Sequence, residues 1–222
     1  MMIITIDGPA AAGKGTVSKV LAEKYKLAYF DTGMIYRAVG LEMVLKGLNP
    51  EDETQALEIA KKMTFERMME LSENKDFRTD VGGQAASKVS AINSVRKVLL
   101  KMQQDFALNP VFADGTKANG VIYDGRDTGT VVCPNADIKF FVTASTEVRA
   151  MRRFKEFKEK GIDTTYEKVL DDMILRDKRD SERKSAPMKP ADDAIIMDTS
   201  DMDAPTEINA VLQIVEQKMK AA

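Results

Sequence analysis

The sequence predicts an α/β fold, a parallel sheet flanked by helices, from three observations. Short β-branched runs alternate with stretches of helical apolar spacing along all 222 residues. The first run, Ile3-Ile4-Thr5-Ile6, leads straight into a small-residue segment, Gly8-Pro9-Ala10-Ala11-Ala12-Gly13-Lys14-Gly15-Thr16. Behind that segment Val17, Val20, Leu21 and Tyr25 recur at helical spacing, so it joins a strand to a helix. Strand, loop and helix in that order are the context that a phosphate-binding G-x-x-x-x-G-K-[ST] loop requires.

The remaining elements follow from the same two periodicities. Strands are expected over 3–6, 28–30, 121–123, 138–142 and 194–197, ending at the polar residues Asp7, Asp31, Asp124, Thr143 and Asp198. Ile35, Val39 and Met43 step by four, as one helical face does. Val89, Ile92, Val95, Leu99, Met102 and Phe106 form a long amphipathic run. Tyr166, Val169, Leu170, Met173 and Ile174 give another, and Ile208, Val211, Leu212, Val215 and Met219 the last. These stripes read as core packing. Open parallel sheets bind ligands beyond the carboxyl ends of their strands, where the polar residues gather here.

Two stretches fit that scheme poorly. Residues 50–83 are polar, carry Glu51, Asp52, Glu53, Glu70 and Glu73, and are expected as an insertion at the edge of a core built from 1–49, 84–148 and 166–222. Residues 149–165 carry Arg149, Arg152, Arg153, Lys155, Lys158 and Lys160 and end the run at Gly161. A charge run is usually a solvated helix face. This one follows a strand on the ligand side, so it is expected as a lid over bound phosphates. The chain is read as a single domain spanning 1–222.

Composition narrows the chemistry. The chain is 44% hydrophobic, enough for a sizeable core, and no apolar run approaches the ~18 residues needed to span a bilayer. The first residues enter a strand without a basic leader, so no signal peptide is expected. One cysteine, Cys133, excludes an internal disulfide and suits a cytoplasmic protein. A net charge of −2 argues against nucleic acid as a bulk partner. There is no histidine, which removes the commonest general base and metal ligand together.

Small residues at 8–13 let backbone N–H groups turn inward around an anion at the positive end of a helix, and Lys14 adds a full charge. Gly15 stands where most such loops carry the metal-holding hydroxyl, which appears one place later at Thr16. This G-K-G-T form resembles nucleoside monophosphate kinases, which hold their metal through water and phosphates. Three further clusters sit at the ligand edge: Asp31-Thr32-Gly33 with Tyr36-Arg37, Asp124-Gly125-Arg126-Asp127-Thr128-Gly129-Thr130, and Arg176, Asp180 and Arg183. If the helix from Tyr166 continues, the last three form one polar stripe. Each cluster also has a plainer reading, as turn chemistry or a surface ion pair. Together beside a P-loop they favour phosphate binding, because arginine forks match phosphate geometry.

Nearly end to end, the chain resembles the bacterial cytidylate kinases. The resemblance rests on I-D-G-P-A-A-A-G-K-G-T, D-T-G-M-I-Y-R-A, A-S-K-V-S-A-I-N-S-V-R, D-G-R-D-T-G-T-V-V and R-D-K-R-D-S-E-R. It implies a P-loop NTPase-type sheet and transfer of a phosphoryl group from ATP to CMP and dCMP. Residues 8–16 would hold ATP, with Mg²⁺ bound through phosphates and water near Asp124 and Thr16 rather than by direct ligands. Ser87, Arg96 and Asp127 would face the cytosine. Arg37, Arg126 and Arg183 would face its phosphate, and Arg176 and Asp180 the sugar; Thr32 and Tyr36 lie in the matching acceptor motif. Lys14, Asp124, Arg126, Arg149, Arg153 and Arg183 are the expected catalytic set. Many relatives carry a longer, strand-rich monophosphate-binding insertion where this chain has 50–83. A monomer acting on small molecules, with no nucleic-acid or membrane partner, is expected. Two other readings stay open: a kinase for another monophosphate or small alcohol, and a non-catalytic P-loop regulator.

Overall fold

The structure is a computed structural model and describes residues 1–221. Its elements are β1 (Met2–Asp7), α1 (Lys14–Tyr25), β2 (Ala28–Asp31), α2 (Thr32–Leu45), α3 (Glu53–Lys62), α4 (Phe65–Ser72), α5 (Asp80–Ser90) and α6 (Asn93–Leu108). There follow β3 (Gly120–Gly125), a π turn (Thr128–Val132), β4 (Ile138–Thr143), α7 (Thr146–Glu159), α8 (Tyr166–Glu182), β5 (Ile195–Asp198) and α9 (Ala204–Ala221). The chain divides into two compact units. A sheet unit comprises Met1–Phe30, Asn109–Glu182 and Ala186–Ala222, and a helical unit Asp31–Leu108 and Arg183–Ser185.

In the sheet unit the five strands lie in the order β2-β3-β1-β4-β5. β1 pairs in parallel with β3 and β4, and β4 with β5, so the expected parallel sheet flanked by helices is the fold. Alternation along β1 decides the two faces. Ile4 and Ile6 join Ile122, Phe140 and Val142 against Val17 and Leu21 of α1 and Val211 and Val215 of α9. Register sets Asp7 opposite Gly125 and Phe141, so the carboxyl ends of β1, β3 and β4 are level. The loop after β1 therefore begins at the centre of the sheet's ligand edge.

Segment 149–165 falls mostly on α7, which has an apolar face. Ala150 and Phe157 pack with Val169 and Met173 of α8, and Phe154 meets Tyr166 edge-on at 6.3 Å. Ser145 caps the helix by accepting from the Val148 N–H at 3.3 Å. The helix from Tyr166 is shorter than the polar stripe requires: it ends at Glu182, and Arg183 lies one residue beyond. Ala186 takes a left-handed φ of 49°, and Pro187 follows it, a pair that cannot continue a helix. The Met188 N–H instead returns to the Asp180 carbonyl at 2.8 Å. Arg183 is thus the first residue past the helix, before the chain bends at 184–186.

The helical unit has its own core. Ile35, Val39, Leu41 and Met43 of α2 are buried with Val89 of α5 and Val95 and Leu99 of α6. The 50–83 stretch feeds the same core through Ala56, Ile59, Met63, Met68, Leu71 and Phe77. Asp52 and Thr64 cap α3 and α4, accepting from Gln55 and Arg67 N–H groups at 3.0 and 3.1 Å.

Candidate active site

The loop between β1 and α1 is bent by three residues of positive φ: Gly8 at 141°, Ala11 at 60° and Gly13 at 104°. A Cβ at Gly8 would fall on the Val142 carbonyl, so only glycine fits there. Ala11 holds a left-handed conformation that costs roughly 1–2 kcal/mol in a residue with a Cβ. That strain persists because the loop's carbonyls are tied down. Pro9 O accepts from Lys14 Nζ at 2.7 Å, Ala10 O from Arg149 Nη1 at 3.4 Å, and Ala12 O from the Thr199 hydroxyl at 3.1 Å. With its carbonyls held in this way, the loop is suited to present N–H groups to an anion.

Gly15 has a local reason. A Cβ at that position would lie 3.3 Å from Asp124 Oδ2 and 3.8 Å from the Tyr29 hydroxyl. The Tyr29 O–H in turn donates to Asp124 Oδ2 at 3.4 Å. The space a serine side chain would occupy is bordered by a carboxylate from β3, while Thr16 is exposed on the first turn of α1. Among the described residues no group of three His, Cys, Asp or Glu could hold a metal.

Around Lys14 the charges are dense and buried. Its ammonium lies 3.8 Å from Asp124 Oδ1. Arg126 Nε donates to Asp180 Oδ2 at 3.2 Å, and Arg176 Nε lies 3.9 Å from the same oxygen. Burial, then the Arg126 charge, push Lys14 down to about 8, against the opposite pull of Asp124 and Asp7. The same two causes, in that order, bring Arg176 down to about 10. Such a cluster is under-neutralised and suited to polyanions.

A pH dependence follows. In free enzyme the Lys14 ammonium loses its proton as pH rises through about 8, so kcat/KM for ATP should fall there. Bound phosphates raise the lysine's pKa, so kcat should hold to higher pH. Stability moves the other way. Between about 8 and the unfolded value near 10.5 the unfolded chain carries the extra proton, so this group adds stability as pH rises. A kcat/KM profile for ATP that stays flat well above this range would remove Lys14 from the ATP contacts.

The α7 arginines differ in their ties. Arg149 is buried; it donates to Ala144 O at 2.8 Å and Thr146 Oγ1 at 2.9 Å and pairs with Asp177 at 2.6 Å. Arg152 donates to Thr199 and Met202 carbonyls at 2.7 and 3.1 Å. Arg153 pairs along its own helix with Glu156 at 2.7 Å, over the Phe157 ring at 4.4 Å. Sequence reasoning did not single out Thr199 or Asp177. Thr199 follows β5 as the other polar residues follow their strands, which was the available signal. Asp177 could be found only through its partner Arg149, which sits on the preceding helix.

Beside the loop, Asp127 is 6% exposed and opens the π turn: its carbonyl accepts from Val131 and Val132 N–H groups at 2.8 and 3.3 Å. Asp7 is tied to the start of that turn. Its carboxylate accepts the Thr128 N–H and O–H, both at 2.8 Å, and the Gly129 N–H at 2.7 Å.

The helical unit assembles a second set. Asp31 caps α2 by accepting from Gly33 N–H at 2.9 Å, with Thr32 buried in the first turn. Arg37 donates to Phe77 O at 3.1 Å. The Arg96 guanidinium lies 5.2 Å from the Tyr36 ring centre and donates to Ser90 O at 3.3 Å, and Ser87 is buried on α5. Thus α2, α5 and α6 hold Tyr36, Ser87 and Arg96 in one packed group.

Fold and loop together define a P-loop phosphate-binding protein. A cytidylate kinase family profile matches residues 4–217. Cytidylate kinase of Paramagnetospirillum magneticum is 49% identical over 216 residues, covering 97% of this chain and 98% of the relative. That of Rhodospirillum rubrum is 47% identical over 217 residues, covering 98% of each. The chain belongs to the cytidylate kinase family, whose members are ATP-dependent phosphotransferases. An uncharacterised protein of Eubacterium ventriosum has a similar fold, with a TM-score of 0.53 at 13% identity over 97% of this chain and 99% of that one.

Proposed function

We propose that this protein transfers the γ-phosphoryl group of ATP to CMP, and to dCMP, giving ADP and CDP or dCDP. The loop at 8–16 carries the reading, with its carbonyls held by Lys14, Arg149 and Thr199, in a chain related end to end to cytidylate kinases. A monophosphate oxygen of the acceptor attacks the γ-phosphorus; the new P–O bond forms as the bond to the β,γ-bridging oxygen breaks. That nucleophile is already ionised near neutral pH, so a chain without histidine lacks nothing.

Catalysis is then positioning and positive charge. Residues 8–16 and Lys14 hold the donor phosphates. Arg37, Arg126 and Arg183 bind the acceptor phosphate, Arg176 and Asp180 the sugar, and Ser87, Arg96 and Asp127 the cytosine, with Thr32 and Tyr36 shaping the acceptor site. Magnesium, when bound, would supply positive charge to the donor phosphates, and Asp124 would hold its water. Residues 149–165 act as a lid, and 50–83 as a reduced monophosphate-binding element. The enzyme is proposed to be a cytoplasmic monomer without a nucleic-acid partner.

Of the three lid arginines Arg153 has the weakest anchor, since a half-exposed i,i+3 pair is worth only a few tenths of a kcal/mol. Arg153→Ala should lower kcat about ten-fold or more while CMP affinity changes little, the mark of a contact made mainly in the transition state. Unchanged kcat would remove Arg153 from the transition-state contacts. A coupled assay over CMP, dCMP, UMP and AMP tests the whole reading, and it fails if CMP is not preferred.

A further inference from the structure

Asp7 ends β1 and directly precedes Gly8, the first residue of the loop. Its side chain leaves β1 on the face opposite Ile4 and Ile6, only 4% exposed. Three donors converge on it, all from Thr128 and Gly129. Thr128 N–H and O–H meet Oδ1, and Gly129 N–H meets Oδ2. This bidentate arrangement spans 121 residues of chain and needs two acceptor oxygens on one group. Burial above all pushes Asp7 up, while the Gly129 and Thr128 N–H groups oppose that shift.

Packing leaves the turn little freedom. A Cβ at Gly129 would lie 2.8 Å from the Thr5 hydroxyl and 3.3 Å from Lys139 Cδ, so the turn is flush against β1 and β4. The Cys133 N–H closes it onto Thr128 O at 2.7 Å. Asp127 is the residue immediately before those that Asp7 holds, and its own carbonyl is committed to the turn. Its backbone, and hence the direction of its carboxylate, is set by where Thr128 and Gly129 are pinned.

We propose that Asp7 is a positioning residue for base selection: it fixes the π turn so that Asp127 presents its carboxylate to the cytosine amine. The proposal rests on the assignment of Asp127 to cytosine made above. Because Asp7 is also bonded to Gly8, the strand end that starts the donor-phosphate loop is the same one that aims the base-reading carboxylate. An amide cannot replace it. An asparagine side chain in its place would keep one acceptor and turn an NH₂ group toward an N–H, setting two donors face to face.

The test is a double-mutant cycle on substrate preference. kcat/KM for CMP and for UMP are measured in wild type, Asp7→Asn, Asp127→Ala and the double variant, alongside thermal midpoints. Asp7→Asn is expected to lower the CMP:UMP ratio by about ten-fold, the scale of a buried charged acceptor lost. In the Asp127→Ala background it should lower that ratio no further, because the two act as one unit. A structural effect alone would depress both substrates and leave the ratio unchanged. Should Asp7→Asn fail to fold, Thr128→Val removes only the hydroxyl bond to Oδ1. It is expected to shift the ratio by about three-fold, with the same dependence on Asp127. An unchanged ratio in the folded variants, or an equal fall in both backgrounds, overturns the proposal. A wild type with no CMP preference, or an Asp127→Ala variant with an unchanged ratio, defeats the underlying base assignment instead.

Discussion

Lys14→Ala is expected to lower phosphoryl transfer by about 1,000-fold or more, the scale on which single cations act in this chemistry, while the thermal midpoint stays or rises. Both halves follow from where the lysine sits. Its ammonium is buried 2.7 Å from the Pro9 carbonyl and 3.8 Å from Asp124, within a loop whose strained turn has no other evident purpose. Negative charge accumulates on the transferring group, and a preorganised cation stabilises it without reorganising. In the free protein that cation is costly. Burial and the neighbouring Arg126 bring its pKa to about 8, so removing it relieves an unfavourable charge. Activity and stability are therefore expected to part company. Steady-state rates and a melting curve on the same preparation check it, and near-normal turnover would end the P-loop interpretation.

The sheet was legible because its signal is local. Each short apolar run forms a strand, and the polar residue after it falls at the ligand edge, as β1 with Asp7 and β3 with Asp124 show. Arg183 falls one residue beyond the helix, which ends at Glu182, and the left-handed Ala186 with Pro187 keeps the chain from resuming it. The core contribution of 50–83 was hard to see for another reason. α3 and α4 span 10 and 8 residues, too few turns for a stripe such as Ile59, Met63, Met68 and Leu71 to stand out from its charges. Site chemistry was legible as residue types but not as partnerships. Nothing near Asp7 in sequence announces Thr128 and Gly129, and nothing near Arg149 announces Asp177. Such pairs are products of the sheet's register and of helix packing, which one sequence does not display.

Asp127→Ala is expected to collapse the preference for CMP over UMP while leaving much of the UMP activity in place. Cytosine offers an amino donor at C4, and uracil offers a carbonyl oxygen there. A carboxylate accepts from the first and is opposed by the second, so it rewards CMP and penalises UMP. Asp127 is suited to that discrimination, being 6% exposed and limited in its movement by the π turn bonded to its own carbonyl. Its removal should cost CMP about 1–3 kcal/mol, or about 5- to 150-fold in kcat/KM, the range for a buried polar partner left unsatisfied. UMP never gained from the carboxylate and is freed of its opposition, so its kcat/KM should hold or rise. Arg183→Ala supplies the contrast. A contact to the acceptor phosphate cannot sense the base, so both substrates should weaken together with their ratio preserved. Measuring kcat/KM for both nucleotides in both variants separates the two roles. An Asp127→Ala variant that weakens CMP and UMP equally would assign the carboxylate to scaffold or metal instead, and the cytosine preference would have to come from Ser87 and Arg96.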